Sequence, residues 1–496
     1  MNGIINEDTI CAVSTPHGMG GIAVIRVSGD RAVEIVAKRW QGADLDKMQS
    51  HTAHLGHITD TGGEVLDEVV LTLFRAPNSF TGEDIIEISC HGSVWIQQQI
   101  VNTLIDAGCR AATGGEFTRR AFANGKMDLS QAEAVADVIA SSSRASHRVA
   151  MNQMRGGFSR ELENLRDQLL QFVSLIELEL DFSEEDVTFA DREKLITLAV
   201  KIQSIINSLA DSYSAGNVIK NGLPVAIVGQ TNAGKSTLLN YLLKDDRALV
   251  SDIQGTTRDV IEDTIVMGGT LFRFIDTAGI RRAHDEIESM GIERTFKKLD
   301  EARLVLWVID ATAPIEEVKK FSDSIIARCA DKKLIAVVNK CDLADDKAQS
   351  LMRDTLCKLL STSVSDLTSK GQYPDSGSID DKSCDKNSEA VNSHIIFISA
   401  KKNIRLDQLT SMLIDAVALP AVDDNAVIVT NARHYEALVR AGEAITRAIQ
   451  GLHQGLSGDL LSQDIRECMH YLGEITGEIT TDELLGNIFS HFCIGK

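Results

Sequence analysis

Three absences narrow this sequence before any motif is read. Positive charge is not in excess: 50 Lys and Arg against 71 Asp and Glu leave a formal net charge of −21. A chain of that balance does not hold nucleic acid through an overall basic surface, so any such contact is a local patch or belongs to a partner. The nine cysteines nowhere fall at C-x-x-C spacing, which speaks against a zinc site or a disulfide framework and fits a reducing compartment. There is no signal-peptide-like leader and no apolar run long enough to cross a bilayer, so the sequence reads as soluble, cytoplasmic and without a membrane partner. Apolar material, by contrast, is ample. With 496 residues, 44% of them apolar, the chain can bury sizeable cores in roughly two to four domains.

The chemistry centres on Gly229-Gln230-Thr231-Asn232-Ala233-Gly234-Lys235-Ser236. An apolar run at 225–228 precedes it, and Thr237-Leu238-Leu239-Asn240 follows, the order strand, glycine-rich loop, helix. The spacing G-x-x-x-x-G-K-[ST] is that of a P-loop, whose backbone N–H groups from Asn232 to Thr237 wrap a phosphate chain. Lys235 reaches the terminal phosphates and Ser236 binds Mg²⁺. The helix N-terminus adds partial positive charge at the same place.

Four more segments point to guanine and to GTP hydrolysis. Asp276-Thr277-Ala278-Gly279 follows an apolar strand, with Asp276 placed to reach Mg²⁺ through water and Gly279 to offer its N–H to the γ-phosphate. Asn339-Lys340-Cys341-Asp342 ends the apolar run 334–338, and Asp342 can accept from guanine N1 and N2, a donor pair that adenine lacks. Ser399-Ala400-Lys401 closes 395–398 and would cover the base. Between P-loop and D-T-A-G, Gly255-Thr256-Thr257-Arg258-Asp259 is the expected switch, with Thr257 the second Mg²⁺ ligand. Each tetrapeptide alone is weak evidence. Together, in order and at strand ends, they describe the carboxyl edge of a parallel sheet, where such folds bind ligands.

The residue after D-T-A-G, where a Ras-like protein keeps a water-orienting Gln, is Ile280. In this the chain resembles the MnmE/TrmE family of tRNA-modification GTPases. The resemblance implies a K⁺ ion beside the phosphates, held by Asn232, Ser251, Ile253 and Thr256 (Ile253 through its backbone carbonyl). It also implies a water-positioning Glu after switch II, which falls on Glu288, with Asp285 and Glu286 close by in sequence.

Before the P-loop, 22–27, 69–74 and 85–90 read as strands, and 31–40 and 93–107 as helices, an α+β unit. Thr15-Pro16-His17-Gly18-Met19-Gly20-Gly21, Asn78-Ser79-Phe80-Thr81-Gly82-Glu83-Asp84 and Gly115-Glu116-Phe117-Thr118-Arg119-Arg120 also match the family, as does Asn124-Gly125-Lys126-Met127-Asp128-Leu129. The resemblance implies a folate-binding, dimer-forming domain, with Arg26, Glu83, Lys126 and Lys496 at the folate-contact positions. Each taken alone would read as a solvent-facing charge. The ending Phe492-Cys493-Ile494-Gly495-Lys496 is a further mark of the family and not a prenylation box, since Gly495 and Lys496 are wrong for one. Cys493 is either a nucleophile toward uridine C6 or a small residue that packs the tail against the folate pocket. A thiol with no nearby acid–base motif is usually structural.

Helical patterns run from a capping box at Asp128-Leu129-Ser130-Gln131 through the stripe Leu162, Leu165, Leu169, Phe172, Ile176 and Leu180. They resume at Leu438, Ala441, Ile445, Ala448 and Leu452. The expected architecture is multidomain: an α+β N-terminal domain (1–122), an all-α bundle (123–217 with 421–496) and an inserted α/β P-loop G domain (218–420) of Ras-like type. The segment 345–393 shows little periodicity, and about 368–392 reads as a disordered or loosely folded surface insertion.

For function, the family resemblance implies a homodimer that works with a separate FAD- and NADH-dependent partner, as a heterotetramer. Together they would build an aminomethyl or carboxymethylaminomethyl group on C5 of wobble uridine in tRNA, from the one-carbon unit of 5-formyl- or 5,10-methylene-tetrahydrofolate. The rival reading is a GTP-dependent ribosome-assembly switch without covalent chemistry. The folate-type domain and the tail argue against it.

Overall fold

The computed structural model describes residues 8–181, 192–244, 263–275, 299–329, 332–368, 394–416, 427–490, 492 and 494–495. The chain divides into two compact units. One comprises Met1–Ala140, Ala150–Asp211 and Ala432–Lys496, and the other Ser141–Val149 and Ser212–Asn431.

The first unit opens with seven strands: β1 (Ile10–Val13), β2 (Ile22–Ser28), β3 (Trp40–Gln41), β4 (Thr52–Thr59), β5 (Val65–Phe74), β6 (Ile85–His91) and β7 (Arg110–Ala111). They form one sheet in the order β3-β4-β5-β6-β2-β1-β7, antiparallel except where β7 lies parallel to β1. Alternate residues Ile25, Val27, Leu71, Leu73, Ile86 and Ile88 are buried in a core shared with α1 (Ala32–Ala37) and α2 (Val94–Ala107). The two-residue period of a strand therefore turns Arg26, Ser28 and Glu87 to the opposite face, where the candidate site lies. The helix expected over 31–40 is shorter: it stops at Ala37, and Trp40 pairs with Ile58 as part of β3, its indole N–H donating to Ala43 O at 2.8 Å.

Helices α3 (Glu116–Ala123), α4 (Leu129–Ala140), α5 (Arg144–Met154), α6 (Gly157–Asp181) and α7 (Arg192–Asn221) follow. The capping box at the start of α4 is formed reciprocally: Gln131 N–H donates to Asp128 Oδ1 (2.9 Å), and Asp128 N–H donates to Gln131 Oε1 (3.0 Å). On α6, Leu162, Leu165, Leu169, Phe172 and Ile176 are all buried, so that stripe is core.

The second unit carries a six-stranded sheet of β8 (Leu223–Val228), β9 (Asp263–Met267), β10 (Thr270–Phe274), β11 (Leu304–Asp310), β12 (Lys333–Asn339) and β13 (Ile395–Phe397). Their order is β13-β12-β11-β8-β10-β9, parallel but for the edge strand β9. Both faces of β11 are covered. Leu304, Leu306 and Val308 face one core, and Val305, Trp307 and Ile309 the other, which is why the strand reads as an unbroken apolar run. The helices are α8 (Lys235–Lys244), α9 (Ile315–Ile326), α10 (Asp346–Thr368) and α11 (Leu406–Ala416).

Helix α10 corrects the reading of 345–393 as aperiodic. Asp345 Oδ1 caps it by accepting from Ala348 N–H at 2.8 Å. Met352, Leu356 and Leu360 are buried at four-residue steps. A single narrow stripe among Ser, Asp and Lys is easily lost to the eye. Thr368 ends this helix, and the rest of the expected insertion lies outside the described residues.

The chain returns to the first unit as α12 (Ala432–Gln454), α13 (Gly458–Thr476) and α14 (Asp482–Ser490). Leu438, Ala441, Ile445, Ala448 and Leu452 of α12 are buried, as their spacing predicts, with Leu461, Ile465, Cys468 and Leu472 of α13. At the start of α12, Arg433 and His434 meet Glu133 of α4. Arg433 donates to both carboxylate oxygens at 3.0 Å, and His434 Nε2 lies 2.5 Å from Oε2. The fold thus comprises an α+β N-terminal domain, a helical domain and a P-loop G domain. Among the described residues no helix is long and apolar enough to cross a membrane, and the described cysteines are free.

Candidate functional site

The nucleotide site is built where β8, β11, β12 and β13 end. The P-loop follows β8, and three positive φ values within it, at Gly229 (151°), Asn232 (62°) and Gly234 (97°), bend the backbone into a cradle for an anion. Gly234 is required by close approach as well as by φ: a Cβ there would lie 2.1 Å from Asn339 Nδ2. Lys235 opens α8 with its ammonium curled onto the loop, donating to Gly229 O (2.8 Å) and Gln230 O (2.7 Å). Burial pushes its pKa down. A poorly hydrated cation held among carbonyls fits an incoming phosphate. Ser236 stands in the first turn of the same helix, where a Mg²⁺ ligand is wanted.

Asn339 ties the site together. It is 3% exposed, and its side chain is spent on protein: Nδ2 donates to Ala233 O in the P-loop (2.8 Å), and Oδ1 accepts from Ala400 N–H in the S-A-K loop (3.0 Å). One amide thus fixes the phosphate loop against the base loop. Lys340 takes φ of 61° and gives its ammonium to Asp310 Oδ2 at 2.6 Å, so what it has left to offer a base is its methylene stem and backbone. Burial alone would raise the Asp310 carboxyl, but Lys340 and then Thr312 hold it below the ordinary range. The Ser399 hydroxyl, and after it the Lys402 ammonium 3.1 Å away, keep Asp342 below the ordinary aspartate range. Asp342 is therefore an acceptor-only carboxylate at neutral pH, the form that recognises a guanine N1/N2 edge. Ser399 and Ala400 are buried and Lys401 is exposed, on a turn closed by paired backbone hydrogen bonds between Ser399 and Ile404.

Sequence reasoning missed Asp310 and Lys402. The signals were there: Asp310 terminates the apolar run of β11, and Lys402 directly follows S-A-K. Ser251, Ile253, Thr256, Thr257, Asp276, Thr277, Ala278, Gly279, Asp285, Glu286 and Glu288 lie outside the described residues, as do Cys493 and Lys496.

A second cluster occupies the sheet face turned away from α1 and α2. Arg26 of β2 donates through Nε (3.0 Å) and Nη2 (2.8 Å) to Glu87, its partner across β6. Its guanidinium sits 5.4 Å from the Phe80 ring centroid and 5.6 Å from that of Phe117. Two residues along β2, Ser28 Oγ donates to Glu83 Oε2 at 2.7 Å. Arg120, 5% exposed, reaches Glu83 at 3.1 Å, Asp8 at 2.7 Å and Glu116 at 3.1 Å. The stem of Lys126 packs over Gly82, beside Glu83, and its ammonium donates to Pro77 O at 2.9 Å.

The C-terminal tail meets this cluster. Ile494 bridges to Gly114, and Gly495 O accepts from Ser14 Oγ (3.1 Å) and lies 3.5 Å from Arg26 Nη1. A Cβ on Gly495, whose φ is 93°, would fall 2.3 Å from Val13 O, so no other residue lets the tail run this close to β1. Arg26, Glu83, Lys126 and Gly495 therefore gather on one sheet face although Gly495 lies hundreds of residues beyond the other three in sequence. The carboxylate, guanidinium and two aromatic rings suit a flat heterocycle with a polar edge. Arg120 and Glu87, which hold Glu83 and Arg26 in place, were not singled out from sequence.

A family model described as GTP-binding protein TrmE N-terminus matches residues 9–126, and one described as MnmE helical domain matches 129–493. The chain is 54% identical over 496 residues to the tRNA modification GTPase MnmE of Bacteroides thetaiotaomicron, an alignment covering 99% of this chain and all of that one. The chain belongs to the MnmE/TrmE family. Other relatives of the same name agree: that of Bacteroides fragilis is 55% identical over 498 residues, and that of Flavobacterium johnsoniae 50% over 500, each covering 99% of this chain and 100% of the relative. Both clusters fall inside matched segments, the sheet-face cluster largely in the N-terminal match and the nucleotide loops in the longer one.

Proposed function

We propose that the chain is a K⁺-dependent GTPase of tRNA modification. Working as a homodimer with a separate FAD- and NADH-dependent partner, it would convert C5 of wobble uridine to the aminomethyl or carboxymethylaminomethyl form. The observation that carries the GTPase part is the Asn339 brace, which ties an anion cradle to a loop bearing an ionised Asp342. Family membership supports the tRNA part.

In this reading the P-loop N–H groups and Lys235 bind the phosphates, Asp342 selects guanine, and Ser399, Ala400 and Lys401 cover the base. Ser236 and Thr257 would hold Mg²⁺, with Asp276 reaching it through water. Asn232, Ser251, Ile253 and Thr256 would hold K⁺. Bound there, the two cations would supply positive charge beside the transferring phosphate. Glu288 orients the attacking water, since Ile280 offers no polar atom for it. GTP turnover should fall at least tenfold when K⁺ is replaced by Na⁺ at equal ionic strength, and equal rates would dispose of the cation.

Arg26, Glu83, Lys126 and Lys496 would bind a reduced folate, 5-formyl- or 5,10-methylene-tetrahydrofolate, which supplies the one-carbon unit. Glu83 still has acceptor capacity for a pterin edge beyond Ser28 and Arg120. The tail contacts at Ser14 and Arg26 support a pocket completed by the chain end. Deleting Cys493–Lys496 should weaken 5-formyltetrahydrofolate binding at least tenfold by calorimetry and leave basal GTP turnover in place. Cys493→Ser decides between the two roles of the thiol. A nucleophile predicts lost tRNA modification with folate binding intact, and a packing residue predicts that both fall. Unchanged folate affinity in the truncated chain refutes the tail's part in the pocket.

A further inference from the structure

An acidic chain that handles tRNA meets phosphates through a local patch of its own or through a partner, and one helix stands out as such a patch. Among the described helices, only the P-loop helix α8 and helix α5 contain neither Asp nor Glu. Helix α8 receives the phosphates of a nucleotide. Helix α5 lies in a run, 138–160, that holds no acid at all and carries Arg144, Arg148, Arg155 and Arg160.

The residues of α5, with Arg155 in the turn directly after it, sort cleanly by side. Ser146, Val149, Ala150 and Gln153 are buried. Arg144, His147, Arg148, Met151 and Arg155 recur at steps of three and four and form a stripe along the other side, with Arg144, His147 and Arg155 exposed. Apart from α8, every other described helix that carries Lys or Arg also carries Asp or Glu, and Arg447 of α12 pairs with Asp464 and Glu467 of α13. The stripe runs about 16 Å at 1.5 Å per residue, long enough to face several consecutive phosphates. Arginine forks suit phosphate oxygens. A membrane surface is disfavoured, because Met151 is the stripe's one apolar residue and nothing in it anchors into lipid.

We propose that Arg144, His147 and Arg148 of α5, with Arg155 directly after its last residue, form the chain's own contact with the tRNA backbone. The inference rests on the tRNA reading above, and the test separates the two. The intact wild-type protein and an Arg144→Ala/Arg148→Ala/Arg155→Ala variant would be titrated with a tRNA transcript by fluorescence anisotropy between 50 and 200 mM salt. The variant should bind at least tenfold more weakly at the upper end, with the salt slope shallower by about 0.9 for each lost phosphate contact. The corresponding triple Lys variant should recover most of the affinity, while GTP turnover and melting temperature stay at wild-type values in both. Wild-type affinity in the triple Ala variant overturns the proposal and leaves the tRNA reading standing. Binding of tRNA by the wild type only when the partner protein is present overturns the proposal alone, and no binding at any salt with or without the partner removes both. Loss of binding to a poly-glutamate probe with tRNA affinity retained would make α5 a protein-docking face, which also overturns it.

Discussion

Asn339→Ala should weaken GTP binding by at least thirtyfold while the protein still folds. The side chain is buried and makes two hydrogen bonds, to Ala233 O at 2.8 Å and from Ala400 N–H at 3.0 Å. Truncation strands a carbonyl in the phosphate loop and an N–H in the base loop, and each buried unpaired group costs about 1–3 kcal/mol. The sum, roughly 2–6 kcal/mol, falls on the two loops that must hold still for a nucleotide, and about 1.4 kcal/mol is a factor of ten in affinity. Binding of a fluorescent GTP analogue measures it. A dissociation constant within threefold of wild type would show that the loops stand without the brace.

Glu133→Ala should destabilise the helical domain by about 3–5 kcal/mol, the usual cost of stripping one partner from a buried ion pair. For a domain of 150–250 residues this lowers the melting midpoint by roughly 6–20 °C. The carboxylate is the shared acceptor for Arg433 and for His434, which is 2% exposed. Glu133→Gln, keeping an acceptor but not the charge, should lose less. Burial would raise the Glu133 pKa, but His434 and Arg433 outweigh it and bring it down to about 2 from an ordinary 4.5. A depressed carboxylate contributes its stability above the unfolded value and loses it as pH falls. Wild-type stability attributable to this group should hold above about pH 4.5 and drain away toward pH 2, and Glu133→Ala should flatten that part of the profile. Thermal melts of both proteins across that range, with parallel profiles, would remove the group from the account.

The P-loop was legible in sequence because it rests on backbone turns that glycine satisfies. Glycines at 229 and 234 allow the turns of the P-loop, and apolar runs before each motif mark buried parallel strands. Helix faces with a broad stripe, as on α6 and α12, were equally plain. Helix α10 was not, since its buried stripe is a single row of three residues in a polar segment. The helix expected to reach Trp40 failed because pairing with Ile58 outcompeted local helical preference.

By itself the sequence determined the family, the order of the nucleotide motifs, the capping box at Asp128 and the buried faces of the long helices. These follow from short-range rules: spacing, periodicity, and the conformations open to glycine. Tertiary structure alone decided what each charge is spent on. It gave Asn339 to a loop brace, Lys340 to Asp310, Asp342 to Ser399 and Lys402, and Arg26 to Glu87. It also brought Gly495 against Val13, Ser14 and Arg26 from the far end of the chain. A side chain's partner depends on which distant strands and helices the core forces together, and no local pattern of residues carries that information.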